Sequence, residues 1–304
     1  MSMTTGPRLA SAVLAAGRRL AAAGCPSATA DAEALAAESA AAAGDGALER
    51  FDALVARRAA REPLAYILGR QTFRGLELRV DSRVLVPRPH TEALVEAGLA
   101  APRGAHVLDL CTGSGAVALA LARERPDLRV SGGDISRDAL AVARENADRL
   151  GLEVSWLESD LLLGAPGPWN AVLANAPYIA EPDEPGLARE LIAHEPPQAF
   201  RGGRDGLDVV RRLIGQAAEV PWLALEVGDA HAPEVGELLR AAGFGEITTR
   251  RDFTGAERVV VGAGNHGRVV GTRRDTRWDS NARPPGDATR PALETRNAVV
   301  GERL

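Results

Sequence analysis

Four clusters of residues in this chain have types and spacings suited to chemistry. Asp109-Leu110-Cys111-Thr112-Gly113-Ser114-Gly115 follows the apolar run Val107–Leu110 and opens a helical pattern. Glycines let a backbone turn tightly and let a ligand approach where there is no Cβ. The N–H groups at the start of a helix then face an anionic group. Here the anion would be the methionine carboxylate of S-adenosyl-L-methionine rather than a pyrophosphate. The next strand ends at Gly133-Asp134-Ile135-Ser136. An acid roughly 20 positions after the glycine turn is where a ribose diol is usually held, and Asp134 and Ile135 join the cofactor set. The plainer alternative is that Asp134 caps the helix from Arg137. Ser159-Asp160-Leu161 ends a third strand, so Asp160 would accept the adenine amino hydrogen while Leu161 lies against the ring. Asn175-Ala176-Pro177-Tyr178 ends a fourth. Asn175 offers an amide oxygen, Pro177 fixes the backbone and Tyr178 adds an aromatic wall. Together they would hold an amide or amine nitrogen beside a sulfonium methyl, with a plain strand-ending turn as the alternative. Asn175 and Tyr178 are the candidate catalytic residues.

These residues need a scaffold that brings strand ends together. Strand candidates are Val107–Leu110, Leu128–Gly132, Glu153–Leu157, Ala171–Ala174, Trp222–Val227, Glu246–Thr249 and Arg258–Val261. Helices fall between most of them, including Gly115–Glu124, Asp138–Leu150 and Pro233–Ala242. Alternating βα units argue for a mostly parallel, doubly wound α/β sheet. The last two strands are too close for a helical crossover, so they should form an antiparallel hairpin. Ahead of the sheet, Phe73, Leu76, Leu78, Val80 and Val84-Leu85-Val86 suggest a β-hairpin over Thr72–Val86, and Pro87 and Pro89 punctuate the entry to a helix near Thr91. From Pro7 to Ala60 the pattern is helical. Phe51, Leu54 and Val55 share one face, and Ser27 or Thr29 could cap the second helix. Expected boundaries are residues 1–70 for a helical domain, 71–88 for the hairpin linker, 89–263 for the α/β domain and 264–304 for a disordered tail.

Bulk properties exclude several classes. The 304 residues carry a net charge of -5, which gives no sign of a nucleic-acid-coating surface. Every basic side chain other than histidine is arginine, so a lysine Schiff base is excluded. Two cysteines, Cys25 and Cys111, are too few for a disulfide framework or a cysteine-based zinc site, and no metal is expected. Gly17-Arg18-Arg19 interrupts the alanine-rich N-terminus where a secretory h-region should be uncharged. With no apolar run long enough to span a bilayer, a cytoplasmic location and no membrane partner are expected.

The motifs Asp109–Gly115 and Asn175–Tyr178 resemble those of the HemK-type protein-(glutamine N5) methyltransferases. The likeness runs from about Phe51 to Gly262 and includes Arg61–Gly69, Phe73–Leu76, Val86–Pro89, Glu195-Pro196, Gly202–Leu207, Leu225–Gly228 and Arg251–Val259. It implies a seven-stranded Rossmann-like class I methyltransferase sheet behind a small helical substrate-recognition domain. It also implies S-adenosyl-L-methionine as cofactor and, as partner, a peptide-chain release factor methylated on the glutamine of its Gly-Gly-Gln motif, or another protein with an exposed glutamine. Cys111 to Gly115 would line the methionine part, Asp134 the ribose and Leu161 the adenine, while Asn175, Ala176, Pro177 and Tyr178 would bind the substrate amide.

The chain departs from the family pattern at Ala176, where the usual tetrapeptide is Asn-Pro-Pro-Tyr. His90 stands where Glu usually follows Pro89. Glu219-Val220-Pro221 is shorter than the usual Pro-Gly-Gly turn, and Cys111 replaces a glycine. His90 reads either as a helix-start residue bonded to backbone or as an acid/base near the substrate, since imidazole titrates near neutrality. A competing expectation keeps the fold for a small-molecule acceptor, in a displacement or cyclisation that does not use the cofactor methyl. A third, a non-catalytic binding module, conflicts with the intact Asp109–Gly115 and Asp134 motifs.

Overall fold

The structure, a computed structural model, describes residues 5–41 and 46–264. From residue 265 on, the expected tail lies outside the described residues. The helices are α1 (Thr5–Ala22), α2 (Ala28–Ala41), α3 (Ala47–Ala59) and α4 (Leu64–Leu68), followed by a hairpin of β1 (Arg70–Phe73) and β2 (Leu76–Arg79). Then come α5 (Glu92–Leu99), β3 (His106–Leu110), α6 (Ala116–Glu124), β4 (Arg129–Asp134), α7 (Arg137–Leu150), β5 (Ser155–Glu158) and β6 (Ala171–Ala174). The remainder is β7 (Ile179–Ala180), α8 (Arg189–His194), β8 (Arg201–Gly203), α9 (Asp208–Gln216), β9 (Trp222–Glu226), α10 (Ala232–Ala241), β10 (Phe244–Arg251) and β11 (Glu257–Gly264).

Seven strands form one sheet in the order β10-β11-β9-β6-β3-β4-β5. Neighbours from β9 to β5 pair in parallel, and β11 is antiparallel to both β9 and β10. This is the doubly wound sheet expected from the βα alternation, with its closing hairpin, and it has the seven strands that the family resemblance implies. Strand order reverses between β3 and β6, and ligands bind at the carboxyl ends of strands flanking such a switch point. The central strands serve two cores because successive side chains point to opposite faces. Val107, Leu173, Trp222 and Ala224 join one core with α5 and α6, while Leu108, Val172, Leu223 and Leu225 join the other with α9 and α10.

The chain divides into two units, one being Gln71–Gly186 together with the segment from Pro196. The other contains residues 5–70 and Leu187–Glu195. Its core is built from Leu20, Leu35, Phe51 and Val55. In this helical unit buried Arg58 donates to Asp31 Oδ2 (2.7 Å) and to Glu190 Oε1 (2.8 Å), and Arg61 also pairs with Glu190. The sequence reading has no helix at Arg189–His194, because six residues are too few for a periodic signal.

The hairpin is shorter than expected. It ends at Arg79, with Arg74 and Gly75 both at positive φ in a tight two-residue turn, and Val84–Val86 is not a strand. Other boundaries shift by one to three residues. The helix entry after Pro87 begins as a 3-10 turn over Pro89–Thr91.

Candidate active site

A cavity of about 330 Å³ opens at the carboxyl ends of β3, β4, β5 and β6. The loop after each strand contributes: Cys111–Ser114, Asp134–Ser136, Ser159–Leu161, and then Asn175 with Pro177. Val84 and Leu85, from the stretch that the sequence suggests is a strand, and Arg88, from the helix entry after it, add to the wall. The structure thus brings most of the sequence-derived cofactor residues together. Gly115, Ala176, Tyr178 and His90 stand outside the cavity wall.

The glycine turn takes its shape from hydrogen bonds inside the loop and to its neighbours. The Thr112 hydroxyl donates to Asp109 Oδ2 (2.6 Å), and the Ala118 amide donates to the same oxygen (3.2 Å). Gly113 N donates to Asp134 Oδ2 (2.9 Å), and Ser136 N donates to Asp134 Oδ1 (2.9 Å). Helix α7 is capped by Ser136, whose hydroxyl accepts from Ala139 N (3.2 Å). Asp134 therefore does not cap the helix directly; it bridges the glycine turn to the residue that does. Gly113 has φ +55° and open space where a Cβ would project, whereas a Cβ on Gly115 (φ +83°) would meet Trp156 at 2.8 Å. The first glycine leaves room at the cavity wall. The second permits packing of the turn against β5, which is why Gly115 is a support and not a lining residue.

Burial sets the acidity of these groups. It pushes the Asp109 carboxyl up to about 7, opposed by the Thr112 and Ala118 hydrogen bonds and reinforced by the Asp134 charge. Burial also raises Asp134, against the three backbone N–H groups that favour its charge. The Cys111 thiol is driven up by burial and by the surrounding carboxylates, so it is held as an unreactive thiol.

Beyond β5, Asp160 pairs with Arg212 of α9 at 2.5 Å, so its carboxylate is already engaged at the rim. Leu161, at φ +57°, turns back to a buried position, and Ile135 presents its side chain to the opening, 61% exposed. The Ser159 hydroxyl is buried on the cavity wall and has no hydrogen-bond partner among the described residues. An orphaned buried hydroxyl is costly unless a ligand completes it. The sequence reading gives Ser159 no role.

After β6, Asn175 Nδ2 donates to Thr91 Oγ1 at 3.4 Å, which turns its amide oxygen the other way. Ala176 is buried in the core shared with α9 and α10. Tyr178 does not form a cavity wall. Its hydroxyl donates to Glu226 Oε1 (3.3 Å) and lies 3.5 Å from His90 Nε2. Burial, with the Glu226 charge, pushes the phenol far above its ordinary range, so it stays protonated. His90 sits 3.2 Å from Glu226 Oε1, and its ring bonds a side chain rather than backbone. The sequence reading assigns Glu226 no role either. The signal available was one acid in the otherwise apolar strand Trp222-Leu223-Ala224-Leu225-Glu226.

The PrmC N-terminal domain matches residues 11–69 and the Methyltransferase small domain matches residues 89–220. The chain is 42% identical over 213 residues to a release factor glutamine methyltransferase of Deinococcus radiodurans, covering 68% of this chain and 76% of that protein. It is 40% identical over 276 residues to one of Mycolicibacterium smegmatis, covering 84% and 97%. Among solved structures, a methyltransferase from Pyrococcus furiosus gives a TM-score of 0.50 at 16% identity over 70% of this chain and 96% of that one. The hMettl16 catalytic domain in complex with MAT2A 3'UTR hairpin 1 gives 0.52 at 17% identity over 70% and 82%. These two likenesses are of the fold alone.

Proposed function

The chain belongs to the HemK-type family of S-adenosyl-L-methionine-dependent protein-(glutamine N5) methyltransferases, and from that membership we propose that it methylates the glutamine of the Gly-Gly-Gln motif in a peptide-chain release factor. The name shared by its relatives supports a protein acceptor over a small molecule. The helical unit, none of whose described residues lines the cavity, is the part that reads the rest of the release factor.

The cavity fits the cofactor on its own features: the orphaned Ser159 hydroxyl, the free space at Gly113 and the Asp134 carboxylate at the switch point. When bound, S-adenosyl-L-methionine supplies an electrophilic methyl on a sulfonium. Cys111–Ser114 hold its methionine end and Asp134 its ribose. Ile135 and Leu161 face the adenine, and Ser159 with Asp160 meets the polar edge of that ring.

The observation that carries the acceptor assignment is the orientation of Asn175. Its Nδ2 is committed to Thr91 Oγ1, leaving Oδ1 to accept an N–H from the glutamine amide. Pro177 walls the site, and the family resemblance implies that the carbonyl of Ala176, whose buried side chain stands behind that wall, accepts the second N–H. An amide nitrogen is a poor nucleophile because its lone pair is delocalised. Two acceptors on its hydrogens orient that lone pair in line and favour the positive charge that develops on nitrogen. No strong base is needed, since the proton can leave to water after transfer.

The test is incubation with cofactor and a release factor, followed by peptide mass spectrometry. The expected product carries one methyl on the glutamine side chain. Asn175→Asp is the control: nearly isosteric, it replaces the Nδ2 donor that fixes the side chain to Thr91 by a second acceptor, so the orientation of the group is lost while its volume is kept. Turnover should drop at least about 100-fold while cofactor affinity holds. Near-wild-type turnover by this variant would remove Asn175 as the orienting group.

A further inference from the structure

We propose that Glu226 is a positioning residue for methyl transfer, acting through Tyr178 and His90 to hold the Asn175 amide. The carboxylate is fully buried at the end of β9, a strand whose other residues, Trp222 to Leu225, are all apolar and buried. A buried carboxylate costs free energy that a leucine in its place would not. Its Oε2 has no hydrogen-bond partner among the described residues, so the described fold does not satisfy it fully even so. The charge is therefore not explained as a contribution to packing.

What it does hold comes from two other elements. Tyr178 Oη donates to Glu226 Oε1, and His90 Nε2 lies 3.2 Å from the same oxygen. Since the oxygen can only accept, Nε2 carries a hydrogen toward it. Tyr178 is three residues beyond Asn175, and His90 is next to Thr91, which accepts the Asn175 amide hydrogen. The contacts close into a ring: Glu226 to Tyr178, back along the chain to Asn175, across to Thr91, along to His90 and back to Glu226. Only one hydrogen bond of that ring, Asn175 to Thr91, touches the residue proposed to meet the acceptor. Glu226 acts on it from both sides.

The segment has reason to need such a ring. Ala176 lacks the pyrrolidine that would fix its φ. The other supports lie beyond Asn175: Ile179 N donates to the Phe200 carbonyl (2.8 Å), and Gly206 packs so close to the Tyr178 carbonyl that a Cβ would meet it at 2.4 Å. These fix the backbone at its far end. The ring through Glu226 fixes the Asn175 end, where a small misplacement costs most in rate.

The inference rests on the proposed role of Asn175, and its test separates the two. Glu226→Gln, Tyr178→Phe and the double variant are prepared in the full chain. Turnover, acceptor KM, cofactor Kd and amide hydrogen exchange of the 175–178 segment are measured for each. Each single variant should lower kcat by about 10- to 100-fold, with KM and cofactor Kd changed by less than about threefold. The double variant should be no slower than the slower single one, because both break the same ring. Exchange at Ala176 and Tyr178 should speed at least about tenfold. Multiplicative losses in kcat, or a loss carried by KM, would overturn the proposal. So would unchanged exchange, even if the wild-type chain proved inactive on release factors, a result that by itself sinks only the proposed function. If Glu226→Gln does not fold, Tyr178→Phe carries the same exchange readout.

Discussion

Both oxygens of Asp134 already accept backbone N–H groups, Gly113 and Ser136 among them, and the carboxylate keeps acceptor capacity for the ribose. Asp134→Ala should therefore weaken cofactor binding and loosen the glycine turn together. Charge-assisted hydrogen bonds contribute about 1.5–3 kcal/mol each, so the expected loss in affinity by calorimetry is at least about 100-fold. Unfolding stability should fall by about 1–3 kcal/mol for the two orphaned amides. An unchanged dissociation constant would place the ribose elsewhere. Asp109 predicts a pH dependence. Its folded pKa is raised to about 7 from 3.8, so below pH 4 both folded and unfolded forms are protonated and no penalty exists. Between these values only the unfolded chain has released its proton, and stability is lost as pH rises through that window. At about 1.4 kcal/mol per pKa unit the loss is roughly 4 kcal/mol. Asp109→Asn keeps an oxygen for Thr112 and Ala118 while removing the titration. Denaturant unfolding at pH 4, 5.5, 7 and 8 should show the variant gaining on the wild type up to pH 7. Parallel curves would mean that Asp109 ionises normally. At this scale the sequence marked Asp134 and Asn175 by position alone. Ser159 and Glu226 fall inside recognisable motifs but carry no role there, because their significance lies in an unsatisfied atom and in contacts across strands.

Among the elements, the parallel strands were legible because each is a short, mostly apolar run followed by a polar or glycine-bearing turn and, for most, by a helical period. The pair β7–β8 was not, because two and three residues carry no period and the partners are distant in sequence. Val84–Val86 alternates with too few neighbours to tell a strand from an extended wall segment. The hairpin is held by the core packing of Phe73, Leu76 and Leu78 and by ion pairs such as Arg74 with Glu124, and one side chain ties it directly to the glycine turn. Asn146 of α7 is fully buried. It accepts from Arg79 N (2.6 Å) and donates to the carbonyls of Arg79 and Ser114 (3.0 Å each), joining β2 to the glycine turn. Asn146→Ala removes all three bonds and leaves buried backbone groups unsatisfied, so a stability loss of about 2–4 kcal/mol is expected. Cofactor affinity should drop as well, because Ser114 lies on the cavity wall. A stability loss with unchanged affinity would show that the turn holds its shape without the hairpin.

At the scale of the whole molecule, the division between a helical unit and an α/β unit follows from the change of hydrophobic period near Gln71. The recruitment of Leu187–Glu195 into the helical unit does not. It depends on Glu190 meeting Arg58 and Arg61, more than a hundred residues earlier, a pairing that no local pattern encodes. Every residue lining the cavity belongs to the α/β unit. A chain reduced to residues 71–264 should therefore bind cofactor with a Kd within about threefold of the full chain, a difference under about 1 kcal/mol. The truncation strips Glu190 of its arginines and uncovers Leu187 and Leu191, which are otherwise buried. A second form with a glycine-serine linker in place of residues 187–195 removes that exposed surface, and the entropy cost of a flexible loop of this length grows only slowly with its size. Calorimetry gives the affinity and circular dichroism the fold. If the helical unit reads the release factor, the truncated forms should methylate a short Gly-Gly-Gln peptide as fast as the full chain does. Whole release factor should be methylated at least about 100-fold less efficiently, the loss appearing in KM. Loss of cofactor binding in a folded truncation would assign the helical unit a part in the cofactor site. Equal efficiency on the whole release factor would show that recognition lies within the α/β unit.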